Sequence, residues 1–305
     1  MQTITFLTTD LDEGVRLDKY LSGQLTDLTR SFLQKLIKEG DVAVDLTPQK
    51  ANYKLKPAQE VKIHIPPAKS SEIVPENIPL DILYEDTELL VVNKPKGMVV
   101  HPSAGHNTGT LVNAIMYYCK DSLSGINGMI RPGIVHRIDK DTTGSLIVCK
   151  NDESHVCIAE QIKEHSIRRI YRGIVSGNMR QTEGIVEGNI GRHPIDRKKM
   201  AVVTKGGKPA VTHYKVLEQW RDAAYMEFCL ETGRTHQIRV HMASIGHPLL
   251  GDKVYGNLKN PYHLIGQALH AMTIGFLHPK TGKYIEVTAP MPDYFLQLAA
   301  KLKNR

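Results

Sequence analysis

One stretch of the sequence concentrates groups able to do proton-transfer or nucleophilic chemistry: Arg131-Pro132-Gly133-Ile134-Val135-His136-Arg137-Ile138-Asp139-Lys140-Asp141-Thr142-Thr143-Gly144-Ser145-Leu146. Apolar segments flank a charged, turn-rich loop, which is how a rigid sheet presents reactive side chains at a cleft. Asp139 has His136, Arg137 and Lys140 close by in sequence. Nearby cations favour the charged form of a carboxylate, and an ionised carboxylate can act as nucleophile or base. The same local chemistry also describes a structural turn with surface ion pairs, so the loop by itself leaves both readings open.

Two further segments carry polar groups on elements with a readable period. Ile167-Arg168-Arg169-Ile170-Tyr171-Arg172-Gly173 reads as a strand bearing Tyr171, a residue that packs in a core as readily as it stacks on a ligand. In Glu231-Thr232-Gly233-Arg234-Thr235-His236-Gln237-Ile238, Thr235 is placed to cap a helix. Ile238, Met242 and Ile245 would face the core of that helix, and Gly246 would end it. Arg234 then falls in the preceding turn, pointing outward.

The elements that must position these groups separate into two parts. Up to about Pro67 the chain reads as a small α/β module. A first helix begins at Arg16 with Leu17, Tyr20, Leu21 and Leu25 at helical spacing. A second starts at a Thr29 cap and stops at Gly40, with Phe32, Leu33, Leu36 and Ile37 on one face and Arg30, Gln34, Lys35 and Lys38 elsewhere. Strands are predicted around Val42–Val44 and Val61–Ile65. Pro66 to Ser71 has linker composition, and the linker is placed at 68–77. From 78 to 305, β-like runs (89–92, 145–148, 171–175, 210–217, 225–230) alternate irregularly with helices near 111–118 and 156–162. The short connections favour antiparallel pairing over a doubly wound βαβ sheet. The expectation is an α+β domain with a large mixed, mostly antiparallel sheet. A basic stretch (Arg192, His193, Arg197, Lys198, Lys199) lies between two strand candidates. A solvated hairpin and a phosphate-binding one are both compatible with it.

These segments resemble known families. "RLDKYLSGQ…LTRSFLQKLIKEGDVAVD…YKLKPAQEVKIHI" resembles an S4 RNA-binding domain over residues 1–67, which implies that Arg30, Lys35 and Lys38 face RNA phosphates. "RPGIVHRIDKDTTGSLIVCK", "IRRIYRGIVSG" and "ETGRTHQIRVHMASIGHPLLGD" resemble the signature segments of RluA/RluD-type pseudouridine synthases, in order along the chain. Ile138 for leucine, Ser145 for an apolar residue and Cys149 for alanine depart from the common pattern without touching the charged groups. The resemblance makes Asp139 the catalytic carboxylate, Tyr171 the base-stacking residue and Arg234 the ion-pair partner of Asp139. It also makes Ile238 an apolar neighbour of the tyrosine, and Arg137, beside His136, the group that fills the space of an extruded uridine. "EGNIGRHPIDRKKMAVVTKGGKPAVTHYKVLEQW" resembles the RluD branch, which implies large-subunit (23S) ribosomal RNA or a ribosome precursor as substrate.

Composition sets the outer bounds. The 305 residues carry a net charge of +7 and are 41% hydrophobic, as in a packed protein with a bias toward polyanionic partners. No basic start followed by an apolar run opens the chain and no stretch approaches a membrane span, so a cytoplasmic protein is expected. Cys119, Cys149, Cys157 and Cys229 show no CxxC spacing, and neither a metal nor a cofactor is expected. No protein partner is implied, so the expected state is a monomer. His136-Arg137-Ile138-Asp139 approaches the kinase HRD motif, but the extra Ile138 and the lack of DFG and of a glycine-rich phosphate loop argue against a kinase. No GxxxxGK[ST] or HExxH occurs, and no synthetase signature accompanies the S4-like segment. A non-catalytic S4-containing RNA-binding protein and a synthase acting on tRNA are the competing readings.

Overall fold

A computed structural model describes the chain except for residues 1, 26, 27, 29, 66–72, 103–105, 121, 127–131, 257–259 and 305. Two compact units divide it, Met1–Ser71 and Glu72–Arg305. The expected linker residues 68–72, the Thr29 cap and Arg131 lie outside the described residues. Residues 73–77, also expected to be linker, belong to the second unit. Ile73 is buried in its core, and the Glu76 carboxylate accepts the Gly109 N–H.

The first unit pairs β1 (Gln2–Leu7), β4 (Glu60–Ile65), β2 (Val42–Val44) and β3 (Thr47–Pro48) in that order, all antiparallel. Helices α1 (Leu17–Gln24) and α2 (Arg30–Glu39) bury Leu17, Tyr20, Leu21, Leu33, Leu36 and Ile37 against Val42, Val61 and Ile63. Helical spacing in the sequence thus placed the buried face of both helices, and Gly40 at φ +87° ends α2 as expected. The first strand, β1, was not foreseen, although Thr3-Ile4-Thr5-Phe6 alternates polar and apolar residues.

The second unit is built on a ten-stranded sheet. Its strands are β5 (Ile82–Glu85), β6 (Leu89–Lys94), β7 (Thr143–Cys149), β8 (Arg168–Ser176), β9 (Glu183–Arg192), β10 (Met200–Val202), β11 (Lys208–Gln219), β12 (Ala223–Leu230), β13 (Leu269–Leu277) and β14 (Tyr284–Thr288). The order is β10-β9-β11-β12-β8-β13-β7-β6-β5, with β14 pairing β13 beside β7. Every pairing is antiparallel except the short parallel one between β13 and β7, His270 to Thr143 and Ala271 to Gly144. The sheet is therefore mixed and mostly antiparallel, as the short connections implied. Helices α3 (Leu111–Cys119), α4 (Asp152–Lys163), α5 (Gln237–Ser244) and α6 (Asp293–Lys303) cover it. The largest apolar cluster draws on β6, β7, β8, β12, α3 and α5.

Where β7 meets β13 the backbones touch. Gly144 has φ +111°, and a Cβ there would collide with the Ala271 carbonyl, so no other residue fits. This contact fixes the end of the loop that carries Asp139. Lys94, buried at the end of β6, fixes its other side: the ammonium donates to the carbonyls of Pro95 (2.8 Å), Met98 (2.8 Å) and Lys140 (3.0 Å). Burial lowers the Lys94 ammonium to about 7, although Asp141 and Asp139 oppose the shift.

Candidate active site

A cleft of about 510 Å³ opens between the Asp139 loop, β8 and the start of α5. Ile134, Ile138, Tyr171, Leu230, Ile238 and Leu269 form its apolar lining, and Arg137, Lys163 and Arg234 contribute charge. Asp139, Tyr171, Arg234, Ile238, His136 and Arg137, six residues named from sequence, all line it.

Asp139 opens the turn that enters β7, with only 16% of its side chain exposed. Its Oδ2 accepts a hydrogen bond from Nη1 of Arg239 at 2.9 Å, and Oδ1 stands 3.9 Å from Nε2 of His236. Arg239 is itself pinned from the other side. Its Nε and Nη2 donate to Oδ2 and Oδ1 of Asp252 at 2.7 and 2.9 Å, a two-pronged pair that fixes the guanidinium plane. Asp252 is fully buried and also accepts the N–H groups of Val254 and Tyr255 at 2.9 and 3.1 Å. Burial alone would raise the Asp252 carboxyl, but Arg239 and the two backbone donors reverse this and hold it low. The Tyr255 ring lies 5.1 Å from the Arg239 guanidinium carbon, and its hydroxyl contacts Nδ1 of His236 at 2.8 Å. The same hydroxyl accepts from the Met200 N–H in the β9–β10 hairpin.

The expected partnership between Arg234 and Asp139 is thus corrected: Arg239 holds the carboxylate. Arg234 donates from Nε to the Pro209 carbonyl at 2.8 Å. The cause lies in Gln237, whose buried amide accepts the Arg234 N–H and the Thr232 hydroxyl while donating to the Val211 carbonyl and the Thr212 hydroxyl. Those four bonds clamp the loop onto β11 and leave the Arg234 side chain at the rim. The helix starts later than expected. Its N-cap is His236 at φ +59°, not Thr235, and Ile245 is 39% exposed, whereas Ile238 and Met242 are buried as expected. Arg239 itself was overlooked among the residues of this quoted segment. Its signal was a guanidinium flanked by the apolar Ile238 and Val240, and every residue from Gln237 to Met242 is buried.

The cations next to Asp139 in sequence do not supply its charge partner either. Arg137 and Lys140 are exposed. His136 Nε2 accepts the Ile147 N–H at 3.0 Å, which fixes a neutral ring with its proton on Nδ1. Burial, with Arg169 nearby, depresses that imidazole to about 3.

Tyr171 projects from β8, opposite Phe228 of β12 and Ala271 of β13. Burial, reinforced by Asp139 and opposed by Arg169, raises its phenol to about 12, so it is a proton donor and an apolar ring at neutral pH.

The other residues expected to meet RNA sit on α2 and on the β9–β10 hairpin. In α2, Arg30 donates to the buried Asp18 at 2.8 Å together with Arg16 and Gln34, and Lys35 lies 3.8 Å from Glu39. Lys38 borders a shallow groove with Lys50, Asn52 and Tyr53. In the β9–β10 hairpin Arg192, Arg197 and Lys198 are exposed, and Lys199 lies 3.9 Å from Asp196.

A mostly antiparallel sheet whose cleft is lined by an arginine-held aspartate and a buried tyrosine, with a small α/β unit before it in the chain, is the class of fold and site that two family models match. Residues 88–244 match RNA pseudouridylate synthase and residues 15–61 match the S4 domain, and this chain belongs to the RNA pseudouridylate synthase family. It is 47% identical over 304 residues to "Uncharacterized RNA pseudouridine synthase YlyB" of Bacillus subtilis, covering all of this chain and 99% of that protein. It is also 47% identical over 290 residues to "Ribosomal large subunit pseudouridine synthase D" of Zymomonas mobilis, covering 92% of this chain and 91% of that one. The solved structure of "Human RNA Pseudouridylate Synthase Domain Containing 1" superposes with a TM-score of 0.57 at 25% identity, over 75% of this chain and 87% of that one. Among the described residues no helix is long and apolar enough to cross a membrane.

Proposed function

We propose that this enzyme isomerises uridine to pseudouridine in large-subunit ribosomal RNA, with Asp139 as the catalytic carboxylate. The observation that carries the reading is the chain of contacts Asp252–Arg239–Asp139, which ends on one carboxylate oxygen inside a cleft lined by Tyr171. The relatives named for the large ribosomal subunit supply the substrate class.

The reaction breaks the N1–C1′ bond and forms C5–C1′. N1 gains a proton and C5 loses one, so no redox partner is consumed. Arg239 occupies Oδ2 of Asp139 and leaves Oδ1 without a hydrogen bond among the described residues. That free oxygen can add to C1′ as the base departs, or take the C2′ proton. Tyr171 supplies a ring for the base to stack on, with Ile238 and Leu269 completing an apolar slot. The target must leave its own stack to enter. Arg137, exposed at the mouth, fills the vacated space, and structured loops make the extrusion easier than regular duplex. The α2 face and the β9–β10 hairpin bind phosphates and set register without reading bases.

The test is pseudouridine formation on unmodified 23S rRNA and on unmodified tRNA, mapped by carbodiimide-dependent reverse-transcription stops. Wild type should modify the rRNA, and Asp139→Asn should form none while remaining folded. Activity in the variant would overturn the catalytic assignment, and modification of tRNA alone would overturn the substrate.

A further inference from the structure

Arg169 is the second buried guanidinium of the cleft, and its surroundings differ from those of Arg239. Only 6% of it is exposed. Whereas Arg239 meets two carboxylates, Arg169 meets none among the described residues. Its Nη2 donates to the Glu231 carbonyl at 2.7 Å, and its Nε is buried without a hydrogen-bond partner among the described residues. Gly233 closes over it so tightly that a Cβ there would lie 2.8 Å from Nη1. Burying an unpaired charge is unfavourable, so a fold that keeps one next to a reaction cleft calls for an account.

The position supplies it. Arg169 and Tyr171 are two residues apart on β8, so their side chains leave the same face of the sheet, and both line the cleft. A base stacked on Tyr171 therefore lies beside the Arg169 side chain, whereas the ribose must lie toward Asp139. When the N1–C1′ bond breaks, uracil leaves with the bonding electron pair, spread over N1, O2 and O4. A guanidinium already in place, shielded from water and not neutralised by an acid, stabilises charge that develops there far more than the neutral base before cleavage. We propose that Arg169 is a further catalytic residue, which binds a carbonyl oxygen of the departing uracil and stabilises its negative charge. This rests on the reading of Asp139 as the carboxylate at the sugar. The alternative occupant, a permanently charged phosphate, would strengthen ground-state binding instead of cleavage.

The experiment compares wild type, Arg169→Gln and Arg169→Lys in single-turnover consumption of an RNA carrying uridine or 5-fluorouridine at the target position. The nucleosides are separated by chromatography after digestion. Fluorine makes uracil a better leaving group, so help to the leaving group matters less. With uridine, Arg169→Gln should lose about a hundredfold in the rate at saturation, the scale for one lost oxyanion donor. The half-saturating RNA concentration should stay unchanged, Arg169→Lys should recover part of the rate, and the loss with 5-fluorouridine should be distinctly smaller. Equal losses with both bases, or a loss confined to RNA affinity, would overturn the proposal. Melting curves identify unfolded variants, and in that event the Arg169→Lys pair of substrates decides. Failure of the Asp139 reading is separately visible, because Asp139→Asn would then consume uridine at the wild-type rate.

Discussion

The carboxylate most worth perturbing is Asp252, which touches no substrate in the reading above. Replacing it with Asn removes one charge, and one of the two acceptors, from a fully buried group that holds the Arg239 guanidinium plane. Breaking a buried ion pair by altering one partner costs about 3–5 kcal/mol. At about 2–4 °C per kcal/mol for a domain of this size, the melting temperature should fall by roughly 10 °C. The effect on turnover comes from geometry. Arg239 keeps Asp139 but loses the groups that aim it, and a displacement near 1 Å costs about 10²-fold. The pH dependence has a definite sign. The folded Asp252 carboxyl lies below its ordinary value, so its contribution is complete above the unfolded value of about 3.9. It disappears as pH falls from there through the folded value. The stability gap between wild type and Asp252→Asn should therefore be constant from pH 5 to 8 and close below pH 4. The assays are thermal melts across pH and single-turnover pseudouridine formation at neutral pH. A variant with the wild-type melting temperature and turnover would refute the view that Asp252 orients the site.

Other outcomes follow from the same contacts. Arg239→Ala should cost at least about 10² in turnover, and Arg234→Ala far less, because the latter guanidinium contacts the Pro209 carbonyl and not Asp139. The reverse ranking in side-by-side kinetics would restore the partnership expected from sequence. Tyr171→Phe should keep substrate affinity and lower turnover, and wild-type activity should show no limb from Tyr171 ionisation below about pH 10, since its phenol is pushed to about 12. An unchanged rate in the phenylalanine variant would remove any part for the hydroxyl. Gly144→Ala should fail to give folded protein, because its Cβ would meet the Ala271 carbonyl at φ +111°. Soluble variant with a wild-type melting curve would show that the strands can separate there.

Much of this was legible in the residues, and what was missed has physical reasons. Helical spacing gave α1 and α2, and the short connections gave the antiparallel character of the sheet. The cleft also collects Asp139, Tyr171 and Ile238, which lie far apart in sequence. The electrostatic partner of Asp139 was misplaced, because the resemblance was carried to Arg234 in the turn before α5, whereas Arg239 inside that helix reaches the carboxylate. His136 was counted among its cations, yet a β7 backbone donor makes that ring neutral. Asp252 follows the apolar pair Leu249-Leu250 and a glycine, and nothing local marks it as the second partner of an arginine on the preceding helix. Strand β13 was overlooked as well, although its Leu269–Leu277 run is continuously apolar apart from His270 and Thr273.

That overlooked strand has a consequence for how the enzyme comes to exist in time. In the sheet, β13 lies between β8 and β7, so it joins the half bearing Tyr171 to the half that follows Asp139. It follows Asp139, Tyr171 and Arg239 in the chain, so it leaves the ribosome after all three. A nascent chain stopping before Leu269 contains Asp139, Tyr171 and Arg239, yet lacks the seam that brings the two halves together. Activity should therefore switch on abruptly, and the growing chain would leave the RNA around it untouched until Leu269–Leu277 has emerged.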